Sequence, residues 1–251
     1  MLKSPNLFGN FKPIPFWQLE AINSAVFYHK RDKFWDKDEV DIIYKKIKDE
    51  KKAVVKKLER NQFEQLPPNP FDLTSLQVEA YKVLKISPKE TLEIAQELYT
   101  DAYISYPRTS SNILPDTINY KEIINDLKKQ KNYEKICEEL LKNKTLKPNN
   151  GTKQDPAHPA IYPTGEIPKR LEEKSFKIYD LIVKRTLSSF GKPSKRETLT
   201  VEIEIKKEPF IAKGTVTTVP GWHEFYGPYA DFKDEEIQKL KEKQKLKNPK
   251  I

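Results

Sequence analysis

From Leu199 to Ile205 apolar and polar side chains alternate, with Leu199, Val201, Ile203 and Ile205 set against Thr200, Glu202 and Glu204. A period of two puts one face of a strand in a core and the other in water, as antiparallel sheets do. Glu208-Pro209 predicts a turn into a second strand, Phe210 to Val219. Near the amino terminus Trp17, Leu19 and Ala21 alternate with Gln18, Glu20 and Ile22, a strand with one imperfectly polar face. Val40, Ile43, Tyr44 and Ile47 recur at helical spacing within Asp38–Lys51, and Ala53 to Phe63 reads as a further strand. Pro67-Pro68-Asn69-Pro70 then breaks the chain, because proline is rejected by helix interiors and central strands alike.

Beyond that break the pattern turns helical. Ser87-Pro88-Lys89-Glu90 has the form of a capping box with proline at the first helical position. The helix it opens is expected to reach Thr100, with Leu92, Ala95, Gln96 and Tyr99 on one side. Ile104 and Tyr106 form a short extended piece ended by Pro107. A helical hairpin follows over 120–130 and 133–142, with Cys137, Leu140 and Leu141 on its inner face. Residues 147–168 carry Pro148, Pro156, Pro159, Pro163 and Pro168, the mark of a long loop, and such loops are often functional. Leu171–Phe190 is the best helix in the chain, stopped by Gly191 and Pro193. Residues 233–247 read as a charged helical tail with Ile237 and Leu240 on one side. The order β-rich, helical, β-rich predicts an α+β fold, a sheet domain interrupted by a mainly α-helical insertion. Its expected parts are 1–70, 71–192, 193–232 and the tail 233–251.

Composition narrows the function classes. The chain has 251 residues, 33% of them charged, with a net charge of +9 that suits a polyanionic partner. No apolar run approaches the roughly 20 residues of a membrane span, and residues 1–5 lack the apolar core of a secretory signal. Cys137 is the single cysteine, which excludes an intrachain disulfide and a cysteine-based zinc site and fits the cytoplasm. Few glycines and abundant Lys, Glu and Ile lean toward a thermophile.

The candidate chemistry lies in Ile104-Ser105-Tyr106-Pro107-Arg108-Thr109-Ser110-Ser111. A phenol and a guanidinium stand two residues apart, beside hydroxyls and with a proline stiffening the link. Tyr106 can attack phosphorus, and Arg108 can pair with a phosphate through its planar fork of donors. Phenols ionise near pH ~10, so a phenolic nucleophile needs a neighbouring cation or base. In isolation such a stretch is usually just a turn at a strand end.

This stretch resembles the active-site tyrosine motif of type IA DNA topoisomerases. Three more segments resemble the same family in the same order. Residues 70–80, Pro-Phe-Asp-Leu-Thr-Ser-Leu-Gln-Val-Glu-Ala, are similar to the entry into its tyrosine-bearing domain, and Thr91 to Tyr99 to the helix before the tyrosine. His158-Pro159-Ala160-Ile161-Tyr162-Pro163-Thr164 is similar to its histidine motif. Looser matches run through residues 11–17 and 179–183.

The resemblance implies a β-rich arch interrupted by the helical domain that carries the nucleophile. It gives Tyr106 the role of taking a 5′-phosphate, Arg108 that of holding the scissile phosphate, and His158 a supporting role beside them. Thr109, Ser110, Ser111 and Thr164 are expected to offer hydroxyls to the DNA backbone. At Ser110 bacterial members often have an aspartate, and this chain departs from them toward archaeal variants. Asp155 is a free carboxylate in the histidine loop that nothing in the sequence ties to the site. The family's Mg2+ is held by a Toprim domain, and this chain shows no Asp-x-Asp at the end of an apolar strand; Asp36-Lys37-Asp38 has the spacing but not the strand. The expected metal set here is therefore none, with Mg2+ belonging to the full-length enzyme. The expected partners are single-stranded DNA and the remaining Toprim and carboxyl-terminal segments, with no membrane and a cytoplasmic, nucleoid-associated location. Residues 1–10 read as a leader outside the arch. Two other readings stay open, a non-catalytic module gripping single-stranded DNA and the topoisomerase half of a reverse gyrase. A tyrosine recombinase is disfavoured, because its tyrosine would lie near the chain end.

Overall fold

A computed structural model of the chain describes residues 14–23, 25–230, 234, 235, 237, 240–247 and 249–251. The leader and the first part of the 11–17 match lie outside them. The chain forms two compact units, one of residues 1–62, 197–216 and 234–251, the other of 63–196 and 217–233.

The first unit is built on a six-stranded sheet. Its strands are β1 (Glu20–Ile22), β2 (Val26–His29), β3 (Lys52–Gln65), β4 (Ser194–Ile205), β5 (Glu208–Val219) and β6 (Lys245–Lys247), in the order β1-β2-β5-β4-β3-β6. The pairs β1–β2, β2–β5 and β3–β6 are antiparallel. The alternation in β4 does what period two demands: Val201, Ile203 and Ile205 are buried, as are Ala53 and Val55 on β3 and Phe210 on β5. Helix α1 (Lys37–Ile47) is capped by the Asp36 carboxylate and buries Val40 and Ile47.

Two expectations shift. The β4–β5 turn is Lys206-Lys207, both with positive φ (47° and 69°), a two-residue hairpin whose twist suits the strands it joins. Glu208 and Pro209 lie inside β5, and the Pro209 carbonyl accepts a hydrogen bond from Lys30 N. The charged tail is the second correction, since among its described residues none is helical. Lys245–Lys247 pairs with Lys52–Val54, burying Leu246 while Lys245 and Lys247 face out. One apolar residue between two lysines satisfies a strand's period as well as a helix's, and the unpaired side of β3 decides the matter.

The second unit is helical: α2 (Leu73–Leu84), α3 (Pro88–Thr100), α4 (Tyr120–Leu127), α5 (Glu134–Leu141), α6 (Glu173–Ser189) and the short α7 (Trp222–Tyr226), followed by a 3-10 turn at Gly227–Tyr229. Asp72 and Ser75 form a reciprocal capping box on α2. Ser87 caps α3 through Glu90 N, while the Glu90 carboxylate accepts from Lys174 at 2.6 Å. Helix α6 runs through the core, burying Ile178, Leu181, Ile182, Val183 and Leu187. Each such side chain contributes about 1.5–3 kcal/mol of burial free energy. Trp222, Phe225, Tyr226 and Tyr229 also enter this core, so the segment after β5, expected with the sheet, packs with the helices. Asp180 on α6 is buried, accepting hydrogen bonds from Tyr133 (2.9 Å) and Tyr229 (2.7 Å) and pairing with Lys184 at 3.0 Å. No described helix is long and apolar enough to cross a membrane.

Candidate active site

The buried side of α3 is Thr91, Ile94, Ala95 and Leu98 rather than the neighbouring side marked by Leu92, Gln96 and Tyr99. Thr91 can point inward because its hydroxyl donates to Ser87 O at 2.9 Å. Gln96 and Tyr99, one turn apart, are thereby free to serve the segment that follows. The chain reverses after the helix at Ala102, whose φ of 63° is left-handed, and continues extended through the tyrosine motif.

That segment lies against the proline-rich loop. Phe71 bridges Ile161 and Ile104 bridges Pro163, both antiparallel. Ser105 N donates to Tyr162 O (2.9 Å), Thr164 N to Tyr103 O (3.1 Å) and Ala160 N to Ile113 O (2.9 Å). Residues 147–168 are therefore pinned through their backbone, with side-chain amides adding more bonds. Asn150 bonds both polar backbone groups of Leu114, and Asn112 Oδ1 accepts from Lys153 N. A Cβ at Gly151 would stand 2.2 Å from the Asn112 amide, so a larger residue there would displace the side chain that accepts from Lys153 N.

Two sequence-distant motifs meet here. The half-buried Tyr106 ring lies 4.4 Å from the His158 ring, centroid to centroid, tilted by 43°. On its other contact, Tyr99 meets it edge to face at 5.3 Å. Arg108 is exposed, and its Nε donates to Gln96 Oε1 at 3.4 Å, so its terminal nitrogens remain for an anion. A half-buried phenol and an exposed guanidinium on one segment, with an imidazole packed on the phenol from another, can present a nucleophile to a phosphodiester and screen its charge.

The hydroxyls sort differently. Thr109 is buried; its Oγ1 donates to His158 O (3.2 Å) and accepts from Ser111 N (3.0 Å). Ser111 is buried and accepts from Ile113 N. Thr164 Oγ1 donates to Ala102 O and accepts from Glu166 N. Ser110 is exposed, yet its N and Oγ both donate to Asp155 Oδ2, at 3.3 and 3.1 Å. Asp155, unconnected in sequence, thus belongs to the site, and the amides of Ala157 and Ser110 hold its carboxyl below the ordinary carboxylate value. The Asp-x-x-His spacing of Asp155 and His158 is the local signal, since an Asx-type turn is how Asp bonds amides two and three residues on. Of the aromatics near this segment, Tyr226 is buried and Tyr103 and Tyr162 pack against the core. Among the described residues no group of three or more His, Cys, Asp or Glu stands where it could hold a metal ion.

The family model described as DNA topoisomerase matches residues 6–251. The chain belongs to the DNA topoisomerase family. Relatives include DNA topoisomerase 1 of Methanocaldococcus jannaschii, 46% identical over 245 residues, covering 96% of this chain and 32% of the relative. DNA topoisomerase 1 of Pyrococcus horikoshii is 40% identical over 261 residues, covering 96% of this chain and 38% of the relative. The human DNA topoisomerase 3-alpha is 29% identical over 208 residues, covering 83% of this chain and 21% of the relative. Among solved structures, full-length topoisomerase I from Thermotoga maritima superimposes with a TM-score of 0.68 at 26% identity, over 92% of this chain and 39% of that one. The chain thus spans about a third of the length of these topoisomerase 1 relatives. The α+β fold with its helical insertion and the archaeal kinship expected from the motifs both stand.

Proposed function

We propose that this chain supplies the cleaving tyrosine of a type IA DNA topoisomerase, in an enzyme completed by segments beyond it. The observation that carries the reading is the meeting of Tyr106 and His158, 52 positions apart in the chain, with Arg108 exposed beside them. Tyr106 Oη attacks the phosphorus of one strand, the bond from phosphorus to the 3′ oxygen breaks, and the 5′ phosphate stays on tyrosine. The phenol gives up a proton and the departing 3′ oxygen takes one up. Exchange of one ester for another conserves the bond energy, so resealing is the same step reversed. Arg108 holds the phosphate and offsets the charge of the transition state. His158 donates a hydrogen bond or relays a proton. Ser110 is the motif hydroxyl that solvent reaches.

The substrate is a single DNA strand, and the remaining Toprim and carboxyl-terminal segments are the expected covalent partners. Magnesium would be held by carboxylates of those segments, because the described residues offer no cluster for it and Asp155 spends its oxygens on amides and a hydroxyl. The setting is the cytoplasm, at the nucleoid.

The test uses the enzyme containing this chain and an oligonucleotide labelled at its 3′ end, which leaves the label on the protein-linked fragment. Tyr106→Phe removes the attacking oxygen and keeps the ring, so the covalent adduct disappears on a denaturing gel while non-covalent binding persists. An adduct formed by Tyr106→Phe would show that another residue is the nucleophile.

A further inference from the structure

We infer that Asp155 is a positioning residue, which locks the histidine loop to the tyrosine segment and so sets the His158 ring against Tyr106. The inference rests on the reading that Tyr106 and His158 form a cleavage site.

The geometry is a closed clamp. Asp155 Oδ1 accepts from Ala157 N at 3.0 Å and from His158 N at 3.1 Å. Its Oδ2 accepts from Ser110 N at 3.3 Å and from Ser110 Oγ at 3.1 Å. Thr109, the neighbour of Ser110, reaches across to the other polar group of the same histidine, donating to His158 O at 3.2 Å. Both backbone groups of His158 are therefore tied to two adjacent residues of the tyrosine segment, the amide through the carboxylate and the carbonyl directly. Pro156 and Pro159 flank the clamp with fixed φ, which narrows the freedom of the loop on either side of His158.

An ordinary Asx turn explains only half of this. It accounts for the bonds of Oδ1, two and three residues ahead, and leaves Oδ2 free. Here Oδ2 bonds a residue 45 positions away, so the carboxylate joins segments rather than ending a turn. Nor is Asp155 placed to take a substrate proton or a cation. A carboxylate offers about four acceptor sites, and four donors occupy them. The carboxyl stays ionised at neutral pH, since its neighbouring amides favour the charged form, and charge-assisted bonds are roughly twice as strong as neutral ones. The bonds are solvent-accessible on the Ser110 side, which calls for a strong acceptor there.

The consequence is catalytic alignment. Tyr106 and His158 sit on different segments, and reacting groups displaced by about 1 Å lose on the order of 10²-fold in rate. Asp155→Ala removes both halves of the clamp. Asp155→Asn keeps the acceptor for His158 N but presents an amide to Ser110, so it loses the Ser110 N bond and leaves only the Ser110 Oγ contact between the segments, with its direction reversed.

The experiment separates binding from chemistry in the enzyme containing this chain. Single-turnover cleavage of a 3′-labelled oligonucleotide gives the rate, and a filter titration gives the Kd. We expect Asp155→Ala to cut the rate about 10²-fold, Asp155→Asn somewhat less, and neither to move the Kd more than about twofold. Ser110→Ala should slow the wild type severalfold and have no further effect on Asp155→Ala. In the 251-residue chain, amide exchange at Ser110, Ala157 and His158 should accelerate in Asp155→Ala. Wild-type cleavage rates in both Asp155 variants, or Ser110→Ala acting in full on the Asp155→Ala background, would overturn the inference. If Asp155→Ala does not fold, Asp155→Asn and Ser110→Ala still decide it. If instead the wild type forms no tyrosine adduct, the cleavage reading fails, and unchanged exchange at those three amides would sink the clamp as well.

Discussion

Thr109 distinguishes a hydroxyl that serves the fold from one that serves DNA. Thr109→Val keeps the shape and removes the oxygen. The Ser111 amide, on a residue only 3% exposed, then loses its acceptor, which costs about 1–3 kcal/mol. The carbonyl of the half-buried His158 loses a donor, worth about 0.5–1.5 kcal/mol. The new methyl recovers up to about 0.8 kcal/mol of burial. The balance is a loss of about 1–4 kcal/mol, or about 2–16 °C in Tm for a chain of this size. Circular dichroism melting of the 251-residue chain measures the first quantity, and filter binding of a single-stranded oligonucleotide checks affinity at a temperature where both proteins are folded. Stability should fall while affinity holds. An unchanged Tm accompanied by weakened DNA binding would refute the internal role and return Thr109 to the DNA contacts that its motif implies.

Arg108→Ala in the enzyme containing this chain should slow single-turnover cleavage by about 10²–10³-fold, because a well-placed charge donor is lost from the transition state; a loss confined to Kd would show that Arg108 only binds. Asp72→Ala should destabilise the chain by about 1–2 kcal/mol through the lost cap of α2, read by urea denaturation. Burial alone opposes ionisation of Asp72, but the bonds from Lys153 and Ser75 outweigh it and leave the carboxyl below its ordinary value. Its contribution is therefore complete above that ordinary value and fades as pH falls through the lowered one, so the gap between wild type and Asp72→Ala should narrow toward pH 3. Burial pushes the Cys137 thiol up to about 12, so the native chain should resist a thiol-disulfide reagent at pH 8 and react only when urea unfolds it.

The legible parts of the fold were those where one local rule spoke alone. The alternation in β4 and the serine-proline start of α3 gave both elements from a handful of residues. The side of α3 marked by Leu92, Ala95, Gln96 and Tyr99 shares only Ala95 with the buried side, because Thr91 is buried through a bond to its own preceding turn. The Lys206-Lys207 turn carries no glycine or asparagine to announce its positive φ. Residues 245–247 have too few apolar positions to separate a period of two from one of 3.6, and only the free side of β3 resolves them. At the site, Tyr106, Arg108 and His158 were visible through family motifs rather than through spacing. Asp155 left only the Asp-x-x-His spacing as a local sign, because its bonds to Ser110 span a distance in sequence that no local pattern records.

The aromatic segment that closes the helical core has a bearing on biosynthesis. Trp222, Phe225, Tyr226 and Tyr229 are translated last among the residues of that core, after β4 and β5 have been made. A nascent chain released only as far as Pro193 holds Tyr106, Arg108 and His158 but leaves α6 without its aromatic cover, and Asp180 without the Tyr229 hydroxyl. Arg185, which in the finished protein spans the Phe71 ring, the Tyr226 ring and the Asn69 carbonyl, has at that stage only the first and the last. The unit that holds Tyr106 therefore matures after the strands that interrupt it in sequence, and cutting the gene at the apparent end of the helical insertion would yield a sticky, unfinished core rather than a small domain.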